Sequence, residues 1–132
     1  MQLNPRRHTL RKTERLYEKK AIDALFEESN QVNMPPFRLL WKIENSESEG
    51  VIKAAFSVPR RSFKKAVDRN LLKRRMREAY RKHKYLLNDV IKGNKQCNLM
   101  YIYISRSKAS YAEIESKLVL TLQRVIKEAD AK

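Results

Sequence analysis

Cysteine is almost missing from this chain of 132 residues. Cys97 stands alone, so no intrachain disulfide can form. A lone thiol agrees with a reducing compartment, and a cytoplasmic location is expected. Histidine is nearly as scarce. His8 and His83 are far apart and no Cys/His cluster exists, so a metal site built from this chain is not expected. Two glycines, Gly50 and Gly93, are too few for the glycine-rich turn that cradles phosphate in nucleotide-binding motifs. No apolar run approaches the ~20 residues that cross a bilayer. The N-terminus lacks the apolar stretch of a secretory signal. Carboxylates are the last shortage, with 15 Asp and Glu against 30 Lys and Arg.

What is present follows from that last imbalance. A formal net charge of +15 on so small a chain strains the compact state unless a polyanion relieves it. Nucleic acid is the expected partner and a membrane is not. The length fits a single domain spanning 1–132, its first 13 residues reading as a basic arm with Arg6, Arg7, Arg11 and Lys12.

Beyond the arm, Glu18 to Ser29 has helical spacing, with Ala21, Ile22, Leu25 and Phe26 on one side. Asn30 to Pro36 reads as a break. Phe37 to Ile43 and Val51 to Val58 are strand candidates, and the polar Glu44 to Gly50 reads as a hairpin loop between them. A basic helix begins near Lys65, and Asn88 to Asn98 reads as a loop. Leu99 to Ser105 has the aromatic and β-branched content of a strand. A last helix opens at Ser110 or Tyr111, with a stripe of Ile114, Leu118, Leu122, Val125, Ile126 and Ala129. The order α-β-β-α-β-α predicts an α+β fold, with helices packed on a small sheet.

The segment from Arg60 to Lys84 holds twelve Lys or Arg against two acids, Asp68 and Glu78, a net of +10. Lys65, Arg69, Lys73, Arg77 and Arg81 follow at steps of four, and with Asn70 and Arg74 they cover about half of a helix circumference. Val67, Leu71, Leu72, Met76 and Ala79 fall mostly on the other half. Like charges at i and i+4 weaken an isolated helix by a few tenths of a kcal/mol per pair. A bound phosphate backbone removes that repulsion, whereas an ordinary solvated face mixes both signs. Phosphate contacts by Lys and Arg, with directional hydrogen bonds from Asn70, are therefore expected.

The stretch Phe56-Ser57-Val58-Pro59-Arg60-Arg61, followed by Ala66-Val67-Asp68-Arg69-Asn70-Leu71-Leu72-Lys73-Arg74-Arg75-Met76-Arg77-Glu78-Ala79-Tyr80, resembles the bacterial ribonuclease P protein family. That family carries an Arg-Asn-Arg-x-x-Lys-Arg-type signature on a basic helix after a strand. Leu10 to Leu16, Ile22 to Phe26 and Tyr101 to Arg106 are similar to other parts of it. Leu71 stands where the family has its third motif residue, Arg. The turn through Ser62-Phe63 is longer.

The resemblance implies a mixed sheet with a left-handed β-α-β crossover. It also implies a ribonucleoprotein that removes the 5′ leader of precursor tRNA, in which the RNA subunit is the catalyst and holds most of the Mg2+. No catalytic side chain, no metal ligand and no small-molecule cofactor are expected of this chain. Contacts to the RNA subunit are expected from Arg60, Arg61, Lys64, Lys65, Arg69, Asn70, Lys73, Arg74, Arg77 and Arg81. Contacts to the leader are expected from Ile22, Phe26, Phe37 and Arg106, in a cleft between the first helix and the sheet. Trp41, Tyr101 and Tyr103 are further stacking candidates, although aromatics at such spacings also serve as core. Two other readings use the same charge: a general RNA-binding or ribosome-associated protein, and a protein-only nuclease. The second needs carboxylates converging on a pocket, for which only Glu14, Glu18, Asp23, Glu27 and Glu28 offer themselves.

Overall fold

A computed structural model describes residues 14–47, 50–88, 90–91 and 93–130, so the N-terminal basic arm lies outside the described residues. The order is α1 (Lys19–Glu27), β1 (Asn30–Met34), β2 (Phe37–Asn45), β3 (Val51–Ser57), α2 (Ala66–His83), a short 3-10 turn (Lys84–Leu87), β4 (Lys95–Tyr103) and α3 (Tyr111–Asp130). The α+β expectation holds, with one strand more than the sequence pattern revealed.

The added strand is β1, in the segment read as a break. Its sequence Asn-Gln-Val-Asn-Met buries Val32 alone, because it is an edge strand that needs only one inward residue. Pairs from Asn30↔Trp41 to Met34↔Phe37 hold it to β2, and Pro35-Pro36 forms the turn. Proline is suited there because no N–H donation is asked of it, while Pro36 O still accepts from Ile104 N–H at 2.8 Å.

The second correction concerns Glu44 to Gly50, which is not the turn of a hairpin. The sheet order is β1-β2-β4-β3, so β4 lies between the two strands this loop connects. β4 pairs antiparallel with β2 from Phe37↔Tyr103 to Asn45↔Lys95, and parallel with β3 from Val51↔Gln96 to Ser57↔Ile102. Strand β4 also starts at Lys95, inside the segment read as a loop. Its first residues Lys95, Gln96 and Asn98 are polar, yet Cys97 and Asn98 are buried by pairing on both sides. The β3-α2-β4 unit is a parallel crossover carried by the basic helix. Gly50 and Gly93 both take positive φ where the chain turns at the far end of the sheet, and Gly50 N–H donates to Gly93 O at 3.1 Å.

The sheet has two unlike faces because side chains alternate. One face carries Phe37, Leu39 and Trp41 of β2 with Cys97, Leu99, Tyr101 and Tyr103 of β4. Against it pack Leu72, Met76, Ala79 and Tyr80 of α2 and Ile114, Leu118, Leu122 and Val125 of α3. Tyr101 Oη and Thr121 Oγ1 share a hydrogen bond of 2.7 Å, which satisfies two hydroxyls inside this core. Helix α3 opens on a Ser-x-x-Glu signature, where Ser110 Oγ accepts from Glu113 N–H at 3.2 Å. The other face has a much smaller cluster, in which Leu16 and Leu25 pack on Leu40 and Met100. Helix α1 crosses that face and covers only part of it.

Candidate nucleic-acid interface

Strands β3 and β4 run parallel and β2 runs against them, so three chain segments meet at one end of the sheet. These are the start of β2 with Arg38, the loop after β3 with Arg60, Arg61, Lys64 and Lys65, and the loop after β4 with Arg106. The basic helix begins there too. Lys65 occupies its N-cap with no side-chain cap. Cations at the positive end of a helix dipole are unfavourable in the free protein and favourable once an anion arrives.

Along α2, Leu72, Met76, Ala79 and Tyr80 define the buried side. At about 100° per residue, Asn70, Arg74 and Arg77 project from the opposite side, and all three are exposed. Lys73 lies on the flank and is partly buried. Arg60, Arg61, Lys64, Lys65, Lys73, Arg74 and Arg77 pair with no carboxylate among the described residues, whereas Arg81 is held by Glu78 at 2.7 Å. That bond lowers the Glu78 pKa and raises that of Arg81. Three neighbours of the cationic strip serve the fold. Arg75 Nη1 donates to Ala109 O at 2.7 Å, Lys108 pairs with Asp68 at 2.8 Å, and His83 meets Glu115 at 3.0 Å.

Arg69 is also tied to the protein. Its Nη1 donates to both Phe63 O and Lys64 O, each at 2.8 Å. Val67, placed on the apolar half by sequence, is 70% exposed among the cations. At about 100° per residue it falls between Arg74 and Leu71, turned away from Leu72 and Met76. Leu71, in place of the motif's third Arg, is half-buried and adds no charge to the strip.

On the open face, Ile22 and Phe26 occupy one flank of α1 while Leu25 points down. Glu28, just past the opposite flank, lines a recess with Lys42 and Ile43. The Ile22–Phe26 flank therefore looks the other way, toward Arg38 and Ile102, which face each other across β2 and β4. Ser57 of β3 extends the same row. This side of α1 and the open face thus carry an exposed ring, Phe26 at 58%, the partly buried Ile22 and Ile102, and an exposed cation, Arg38. Arg106 is exposed just past the end of β4. Sequence reasoning missed Arg38. The available signal was alternation: if Phe37, Leu39 and Trp41 point to one face, Arg38 must point to the other.

Phe37 does not belong to this open side. It has no exposed surface and packs edge-on against Tyr101 and Tyr103, with ring centroids 5.6 and 6.2 Å away. Trp41, Tyr101 and Tyr103 are buried on the same closed face, so these four rings are core and no base can stack on them. Burial pushes the Cys97 thiol up to about 12, which keeps it protonated and inert. Among the described residues no group of three or more His, Cys, Asp or Glu converges as a metal site would. No described helix is long and apolar enough to cross a membrane.

A cationic helix and a braced basic loop at one end of a mixed sheet mark an α+β protein suited to binding a polyanion. The family model for ribonuclease P matches residues 10–128. The ribonuclease P protein components of two strains of Porphyromonas gingivalis are 29% identical over 123 residues and 30% identical over 117. These matches cover 92% and 88% of this chain and 90% and 85% of theirs. Among solved structures, the RNase P protein from Thermotoga maritima aligns with a TM-score of 0.66 at 23% identity. That alignment covers 84% of this chain and 96% of that one. The RNase P protein of Staphylococcus aureus aligns at 0.64 and 20%, over 87% and 99%. The chain belongs to the ribonuclease P protein family, and its function is that of the protein component in tRNA processing.

Proposed function

We propose that this chain binds the catalytic RNA of ribonuclease P through the outward side of α2 and the loop before it, and that it receives the 5′ leader of precursor tRNA in the groove between α1 and the open face. The observation that carries this reading is the gathering of seven cations without carboxylate partners, Arg60, Arg61, Lys64, Lys65, Lys73, Arg74 and Arg77, at and beyond the sheet end where the groove opens. Phosphates of a folded RNA would occupy the helix and loop cations, releasing counterions. Asn70 adds directional hydrogen bonds, and Arg81, engaged with Glu78, lies at the strip's far end. A single strand entering the groove would stack a base on Phe26, rest on Ile22 and place phosphates near Arg38 and Arg106.

In this reading the RNA subunit performs the phosphodiester hydrolysis and holds the Mg2+, and the complex works in the cytoplasm. The protein supplies affinity and orientation. Reconstitution with a bacterial ribonuclease P RNA at low Mg2+ tests it. Addition of the protein should restore cleavage of precursor tRNA at the 5′ end of the mature sequence, and the protein alone should cleave nothing. RNA binding without rescue of cleavage would instead favour a general RNA-binding role.

A further inference from the structure

The basic loop is not free to splay. Val58 and Phe63 are buried at its two ends, and the Phe63 ring meets Tyr103 at 5.8 Å. Pro59 O accepts from Ser62 N–H at 3.2 Å and from Phe63 N–H at 3.4 Å, which closes a tight turn. Arg60, Arg61, Lys64 and Lys65 are exposed along it, with no acid among them. Such a cluster repels itself, and the positive end of α2 adds to that repulsion. Arg69 reaches back from the first turn of the helix into this field. A fifth cation would be driven outward unless something held it. What holds it is a pair of carbonyls, Phe63 O and Lys64 O, each 2.8 Å from the same nitrogen, Nη1.

We propose that Arg69 is a positioning residue, whose guanidinium clamps the loop so that Lys64 and Lys65, with Arg60 and Arg61, meet an RNA backbone already arranged. This rests on the reading of the loop as an RNA contact. The clamp explains why the position needs a guanidinium. Lysine would keep the charge, but its ammonium ends a shorter, flexible stem whose donors are not held in one plane, so it would hold the two carbonyls less rigidly. Arrangement before binding spares the complex the cost of ordering four long side chains and their backbone.

Two measurements separate the clamp from an ordinary phosphate ligand. In the RNA-free protein, Arg69→Met should speed amide hydrogen exchange at Ser62 and Phe63 while circular dichroism retains the helix signal. Unchanged exchange there would overturn the proposal, whatever the RNA does. The second measurement is a double-mutant cycle on affinity for ribonuclease P RNA. Arg69→Met should reduce the log–log salt slope by more than the roughly 0.9 of a single contact. In a background carrying Lys64→Ala and Lys65→Ala, the same substitution should cost several-fold less affinity. Equal losses in both backgrounds would make Arg69 a direct ligand. Arg69→Lys covers the case in which the methionine variant does not fold: the clamp predicts faster exchange at Ser62 and Phe63 despite the retained charge, and a direct ligand predicts unchanged exchange. Failure of the native protein to bind that RNA would count against the proposed function, and the exchange result would still decide the clamp.

Discussion

Phe26 and Phe37 lie eleven positions apart on adjoining elements, and the two faces of the sheet treat them in opposite ways. Phe37 stands on the closed face, wholly buried between tyrosines, and Phe26 projects from α1 beside the open face with 58% of its surface exposed. The closed face is covered by two helices and holds most of the core, whereas α1 alone crosses the other and buries little more than Leu16, Leu25, Leu40 and Met100. Stability is thus concentrated on one face, and exposed surface is left on the other. An aromatic residue's role here is decided by which face its backbone position selects, and its chemistry alone does not reveal it.

The most damaging way to probe this contrast is to remove the buried ring. Phe37→Ala should cost about 3 to 5 kcal/mol, because it deletes transfer energy and leaves a cavity between two tyrosines. Urea denaturation measures this, and at subdenaturing concentrations the affinity of the folded fraction for RNA should be unchanged. A loss under about 1 kcal/mol would mean that Phe37 is not the core residue its burial indicates.

The converse experiment removes charge and spares the fold. Replacing Lys73, Arg74 and Arg77 together by Ala should lower the log–log salt slope of RNA binding by about 2 to 3, at roughly 0.7 to 0.9 for each lost phosphate contact. Alanine is a strong helix former, so the denaturation midpoint should move little. An unaltered slope would reduce this side of α2 to a solvated surface.

A finer test stays within the closed face. Tyr80 Oη is buried and has no hydrogen-bond partner among the described residues, and burial holds its pKa well above the ordinary tyrosine value. An unsatisfied buried hydroxyl carries a desolvation cost, so Tyr80→Phe should raise stability by about 1 kcal/mol. Thermal unfolding checks this. A clear loss of stability would show that the hydroxyl has a partner in solution.

How much of this was legible in the sequence follows from the same contrast. Helices α2 and α3 were readable because their apolar residues recur at helical spacing and Ser110 marks a start. Strand β1 was not, since an edge strand that buries one valine leaves almost no pattern. The insertion of β4 between β2 and β3 is a long-range pairing that no local signal records. At the candidate site, net charge and the motif from Arg69 to Arg74 singled out helix α2, but composition could not separate Arg69 and Arg75, which hold carbonyls of the fold, from Arg74 and Arg77, which face outward. The misplacement of Phe37 has the same origin. Period-two alternation fixes its relation to Leu39 and Trp41, but only the packed helices decide which face is closed.

The most direct measurement is tRNA binding by the assembled ribonucleoprotein with Phe26 or with Leu at that position. Phe26→Leu retains most of the apolar volume and should cost less than about 1.5 kcal/mol of stability. It removes a stacking surface worth roughly 1 to 3 kcal/mol per base. Affinity for precursor tRNA carrying a leader should fall accordingly, while affinity for mature tRNA, and of the protein for the RNA subunit, should stay as they are. Equal losses for precursor and mature tRNA, or no loss for either, would contradict a leader groove on the open face.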